Sequence, residues 1–227
     1  MSSPDPPSFS RCTGEIMIKH ITFLKGTLIF ISVALIFCID ARAEDNGSRF
    51  TSFASFSLGT IKLDDVQKTL GTAKLVETGE AGEYTASVCY VVPTGFILFL
   101  AGELDGPDHD LGGFGFARQT ERQPCSQWPP NRAKPKLNIA GLQLGMSIAE
   151  FKRSVGVPIR IEGQKVYASF ESKRKMSQTE IQRLPEDVRE MIQTGKGQNY
   201  YDVVVFIAAI FNNGKLDDLR IWKTETN

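Results

Sequence analysis

A short capped helix that runs straight into a β-strand, present twice in the chain, restricts the fold more than any other feature. In residues 142–171 (LQLGMSIAEFKRSVGVPIRIEGQKVYASFE), Ser147 and Glu150 have the spacing of a capping box. Ile148, Phe151 and Val155 follow at i, i+3 and i+7, one apolar helical stripe. Gly156 stops the helix, Pro158 prevents its restart, and Val166 to Phe170 opens a strand. The earlier copy has Leu63, Val66 and Leu70 as its stripe, Asp64 and Asp65 in the first turn where the helix dipole favours carboxylates, and Gly71 as its stop. Superposing Gly71 on Gly156 sets Val66 on Phe151, Asp65 on Glu150 and Leu63 on Ile148. The pairs Leu58-Gly59 and Leu144-Gly145 then match with one residue of slippage. A repeat this long is no solenoid unit. It predicts an α+β fold made of two tandem copies, each with short helices packed on an antiparallel β-sheet.

Residues 1–43 stand apart from that fold. Lys19, His20 and Lys25 precede an apolar run over 26–39, and Ala41-Arg42-Ala43 places small residues where a signal peptidase reads them. The run is shorter than the roughly 20 residues of a membrane span, so a cleaved signal peptide is expected rather than an anchor. Phe37 is too bulky to precede a lipid-modified Cys38. Residues 1–16 are polar and proline-bearing, which makes Met17 the expected true start. Removing Arg11, Lys19, Lys25 and Arg42 against Asp5, Glu15 and Asp40 leaves 22 basic and 23 acidic residues. That balance argues against nucleic acid as the main partner, and no membrane span is expected after cleavage. Of the four cysteines, Cys89 and Cys125 remain. In an oxidising compartment such a pair reads as one disulfide, which would stabilise the fold by about 4 kcal/mol through loop closure. The rival reading, a metal or redox pair, lacks close spacing. A periplasmic or secreted location follows.

The expected organisation is therefore a first repeat over 44–120, a proline-bearing linker over 121–136 and a second repeat over 137–227. Phe50, Phe53 and Phe56, spaced by three, are expected to pack the lead-in segment, with an exposed aromatic patch as the alternative. Residues 84–92 and 96–104 read as central strands joined by Pro93-Thr94-Gly95, and 112–117 as a third strand whose glycines permit close approach. The run GGFGF lacks the spacing of a phosphate-cradling loop. In the second copy, 201–211 and 216–222 form a hairpin across Asn213-Gly214. Counting outward from that turn pairs Ala208 with Leu219 and Phe206 with Ile221 on a core face. It puts Arg220 and Trp222 on the other face with Ile207 and Val205. Between the strands, 172–199 is a helical insertion with a second capping box at Ser177 and Glu180. The basic run Lys173-Arg174-Lys175 reads as a solvated flank or a site for an acidic partner.

Catalytic signatures are missing. His109 is the single histidine after residue 43, and no nucleophile elbow is present. The loop of residues 105–110, with Asp105, Asp108 and Asp110, could hold a hard cation, but it lacks EF-hand spacing. No cofactor is expected, and the reading is not an enzyme.

The motif Leu-Gly-(Met/Thr)-x-x-x-(Glu/Asp)-(Phe/Val)-x-x-x-(Val/Leu)-Gly, doubled, followed each time by a sheet and with a cysteine pair in the first copy, resembles the β-lactamase-inhibitor-protein-like architecture. A similar module occurs in the small outer-membrane assembly lipoprotein family. The resemblance implies tandem helices on antiparallel sheets and a concave sheet face that grips a partner protein. It departs in having cysteines in one copy only and in the insertion. The function expected is a non-enzymatic protein-binding module presenting Tyr167, Arg220 and Trp222. An envelope assembly or scaffolding factor is the alternative, and a metal-dependent enzyme using the 105–110 loop is the third reading.

Overall fold

The computed structural model describes residues 47–119 and 124–227. The expected signal peptide and start lie outside the described residues, as do the first residues of the expected linker. The fold is α+β, with helices packed on an antiparallel sheet.

The first helix, α1 (Leu63–Leu70), is followed by β1 (Val76–Thr78), β2 (Thr85–Val92), β3 (Gly95–Gly102), β4 (Gly113–Ala117) and the short β5 (Ser126–Gln127). The second, α2 (Ile148–Val155), precedes β6 (Arg160–Glu162), β7 (Lys165–Lys175), β8 (Tyr200–Asn212) and β9 (Lys215–Thr226). Two further helices, α3 (Gln178–Arg183) and α4 (Glu186–Gln193), lie between β7 and β8. The sheet order is β6-β7-β8-β9-β4-β3-β2-β1, with β5 parallel to β2 on its outer edge. Each half of the chain thus starts at one edge and walks inward, and β9 meets β4 antiparallel in the middle.

Both helices form for local reasons. Ser147 Oγ accepts the Glu150 N–H, and the Glu150 carboxylate accepts the Ser147 N–H at 2.6 Å. Asp65 accepts the Lys62 N–H at the start of α1. Gly156 ends α2 at φ 71°, a left-handed value that suits glycine. Arg49 donates to the Ser154 and Val155 carbonyls, both at 2.8 Å, and so caps the same helix end with a cation.

Alternation along the strands decides which residues enter the core. Leu63, Val66 and Leu70 of α1 and Phe151 and Val155 of α2 pack on Val88, Tyr90, Ile97, Phe99, Phe114, Phe116, Val205, Ile207, Leu219 and Ile221. Phe50, Phe53 and Phe56 are all buried. Their rings contact Phe170, Phe114 and Phe116, and Phe99 respectively, so the exposed-patch alternative falls. Tyr90 is buried in the same layer, its hydroxyl donates to the Gly71 carbonyl at 2.6 Å, and burial pushes its pKa up to about 12. Both helices and the lead-in segment therefore cover one face of the sheet.

Three details differ from the sequence reading. The strand expected over 96–104 stops at Gly102, where the chain turns into a short 3-10 segment, Glu103–Asp105. The strand before the insertion runs on to Lys175, so the helical excursion begins at residue 176. The last hairpin has a shifted register. Its turn pairs Asn212 with Lys215, and an irregularity after Phe211 leaves Asp217 as an extra residue. Beyond it Ala208 pairs with Arg220 and Phe206 with Trp222. One extra residue exchanges the faces of a strand, so Phe206 and Ala208 belong with Arg220 and Trp222, while Val205 and Ile207 are core.

The insertion is tied down by charge. Arg174 bridges Glu180 of α3 and Glu225 of β9. Its guanidinium, with the Ser177 N–H, holds the Glu180 carboxyl down to about 2. The pairing stabilises the folded state fully above the ordinary value of 4.5 and loses that contribution as pH falls through about 2. Glu180→Gln should cost about 1 kcal/mol at neutral pH, allowing for solvent screening, and should remove the corresponding acid-dependent loss from chemical denaturation curves. Phe53→Ala should cost about 3–5 kcal/mol in the same assay.

Candidate functional site

Strand β4 reads GFGFA, and its alternation sets the two faces of the sheet apart. Phe114 and Phe116 point into the core, while Gly113 and Gly115 leave the opposite face bare at the centre. Neighbouring side chains on β9 occupy that space. A Cβ at Gly113 would stand 2.8 Å from the Trp222 ring, and one at Gly115 would stand 3.0 Å from Arg220 Cδ. The glycines of this run thus admit the Trp222 and Arg220 side chains. At Gly113 the Ile221 backbone carbonyl also stands 2.8 Å from where a Cβ would be, the close backbone approach expected from the sequence. A Cβ at Gly102 would stand 3.7 Å from the Trp222 ring, and Trp222 packs against the small cluster of Leu98, Leu100 and Cys89 on the same face.

Cys89 and Cys125 are disulfide-bonded, with Cα atoms 4.6 Å apart, at the β2 side of this cluster. The segment expected as a linker is drawn onto the sheet here. Trp128 N–H donates to the Val91 carbonyl, Ser126 Oγ to the Thr72 carbonyl, and the Trp128 ring is buried against Tyr90.

Farther along the same face, Tyr167 of β7 stacks on Phe206 of β8 with ring centroids 5.8 Å apart. Arg160 lies 4.9 Å over the outer side of the Tyr167 ring. Phe206 pairs across the strands with Trp222, and Ala208 with both Tyr167 and Arg220. Arg220 is held by a two-pronged contact to Asp218 at 2.8 and 3.0 Å. The structure therefore brings Tyr167, Arg220 and Trp222 onto one face and adds Phe206, which the sequence count assigned to the core. Only the bulge could have revealed it, and nothing in the hairpin sequence marks that position. All four are partly exposed, and Ile210 in the same row is 36% exposed.

The 105–110 loop is held by contacts to α1 and to the sheet. Burial pushes the Asp105 carboxyl above its ordinary value, opposed by the Gly102 N–H that it accepts. Asp108 pairs with Lys62. His109, at φ 55°, shares Tyr84 with Glu77, at 2.8 Å from the Tyr84 hydroxyl. The His109 carbonyl accepts the Leu63 N–H, and Leu111 exchanges backbone bonds with Gly59 and Ile61. These contacts fasten the start of α1 to the sheet. Among the described residues no group of three or more His, Cys, Asp or Glu side chains converges as metal ligands. Among them, too, no helix is long and apolar enough to cross a membrane.

No family model and no curated protein matches the chain. One solved structure aligns with it, described as a putative beta-lactamase inhibitor protein from Streptococcus mutans. The alignment covers 74% of this chain and 83% of that one, at 10% identity and a TM-score of 0.22. A score that low lends no weight to the fold or function of this chain.

Gly113→Ala should displace the Trp222 ring and cost about 2 kcal/mol in unfolding free energy. Trp128 is buried and the only other tryptophan, so a red shift in fluorescence on this substitution reports Trp222.

Proposed function

We propose that this chain is an exported, non-enzymatic module that binds another protein on the face of its sheet opposite the helices. The observation that carries this reading is the row Tyr167–Phe206–Trp222 with Arg220 beside it, partly exposed on a face that neither α1 nor α2 covers. Aromatic rings and arginine are the side chains most enriched where protein interfaces hold their binding energy. The rings are already stacked and Arg220 is already fixed by Asp218, so binding would order few additional side chains.

Two further features support the reading. A disulfide suits an oxidising compartment, in keeping with the expected signal peptide. The Asp105 and Asp108 carboxylates of the 105–110 loop have structural partners in the Gly102 N–H and Lys62, and the loop's backbone braces α1. The arrangement also favours an origin in two tandem copies. The two helices have equal length at an offset of 85 residues. The bridges Lys62↔Asp110 and Ser147↔Lys215 place the residue before each helix against the start of that half's innermost strand.

The test is capture of a partner by the tagged chain from envelope extract, followed by measured affinity with variants. Tyr167→Ala and Phe206→Ala should each weaken binding by about 2 kcal/mol while the melting curve stays cooperative. Unchanged affinity for both variants would reject this face. Recovery of outer-membrane assembly components would instead favour the assembly-factor reading.

A further inference from the structure

The chain is neutral as a whole, but residues 122–149 hold Arg122, Arg132, Lys134 and Lys136 and no aspartate or glutamate. The structure folds part of this stretch against the turn between β2 and β3. Lys134 and Lys136 there line one open groove of about 950 Å³ together with Arg118, just past the end of β4. Pro93, Leu137 and Leu144 form apolar parts of its wall, and no carboxylate lines it. Both lysines are exposed and have no ion pair among the described residues. Arg118 is 47% exposed, with Asp217 its carboxylate neighbour at 3.9 Å, a loose pair.

The dimensions and chemistry narrow the ligand. The volume lies at the upper end of the range for bound ligands and far exceeds a single small anion. The cations come from two separate segments, which suits several negative charges spaced along a chain. No aromatic ring lines the groove, so it offers no platform for stacking a nucleobase. The apolar wall is open rather than enclosed, which suits short aliphatic side chains better than an acyl tail. We propose that this groove docks an extended acidic peptide segment of a partner protein. Its carboxylates would meet Arg118, Lys134 and Lys136, and its aliphatic side chains would lie on Pro93, Leu137 and Leu144. The site shares no residue with the aromatic row on the open face and does not depend on it.

The test uses the full chain and a fluorescein-labelled peptide of four Glu-Glu-Leu repeats, followed by fluorescence anisotropy. Binding should weaken as salt rises from about 50 to 200 mM, because exposed ion pairs are screened. The double variant Lys134→Glu, Lys136→Glu should weaken it about tenfold or more, and Arg118→Gln should weaken it by a smaller factor. Lys175→Glu, at the far end of strand β7 from the row that holds Ala117, and Phe206→Ala should leave it unchanged, which separates this site from the open face. Both lysines are exposed, and an unaltered circular dichroism melt confirms the fold of the double variant. Equal peptide affinity for the wild-type and double-variant chains would overturn the proposal. So would equal binding of a Gln-Gln-Leu peptide. It would also be overturned if heparin fragments or anionic phospholipid vesicles bound through these lysines while the acidic peptide did not.

Discussion

The pairing of β9 with β4 is the constraint on which the rest of the molecule depends. It joins a sheet half whose strands come from residues 76–117 to one from residues 160–226. Five register pairs, Asp218 with Ala117 through Trp222 with Gly113, make the seam. On the core side Phe114 and Phe116 supply bulk beneath Phe53. On the other side bare glycines let Trp222 and Arg220 lie close to the sheet. One strand of five residues therefore serves a packed interior and an exposed surface at once, and its alternation of phenylalanine with glycine is the means.

Around that seam the polar contacts act mainly as fasteners. Arg49 reaches across more than a hundred residues to the carbonyl end of α2. The 105–110 loop holds the start of α1, and the Tyr90 hydroxyl takes up the Gly71 carbonyl at its end. Arg174 does the same for the insertion through Glu180 and Glu225. Burial of apolar side chains, aliphatic and aromatic together, supplies most of the driving force for collapse, whereas these bonds fix where each helix sits.

Much of this was legible in the residues, for reasons that can be named. Helices α1 and α2 announce themselves because caps, apolar spacing and stop glycines all act within ten residues. The cysteine pair was legible from arithmetic and compartment. What the sequence concealed depended on tertiary context. The bulge that leaves Asp217 without a partner on β8 has no local signature, yet it decides that Phe206 rather than Val205 pairs with Trp222. The role of GGFGF could not be read without knowing which strand lies beside it. Likewise, the prolines of the expected linker gave no hint that Ser126–Gln127 would line the outer edge of β2. The groove beside Lys134 was invisible for the same reason, since Arg118 approaches it from a different strand end.

The order of the strands also bears on how the molecule is made. The last strand in sequence, β9, occupies the middle of the sheet, so a nascent chain released as far as β8 would still have two separate half-sheets, each with an unpaired inner edge. Closure must wait for the final hairpin, and the contacts it makes are among the most distant along the chain, which slows assembly. Cys89 and Cys125 both precede that event, so the first half can be locked while the second is still being delivered. Such a molecule is stitched early at one side and zipped shut late at its centre.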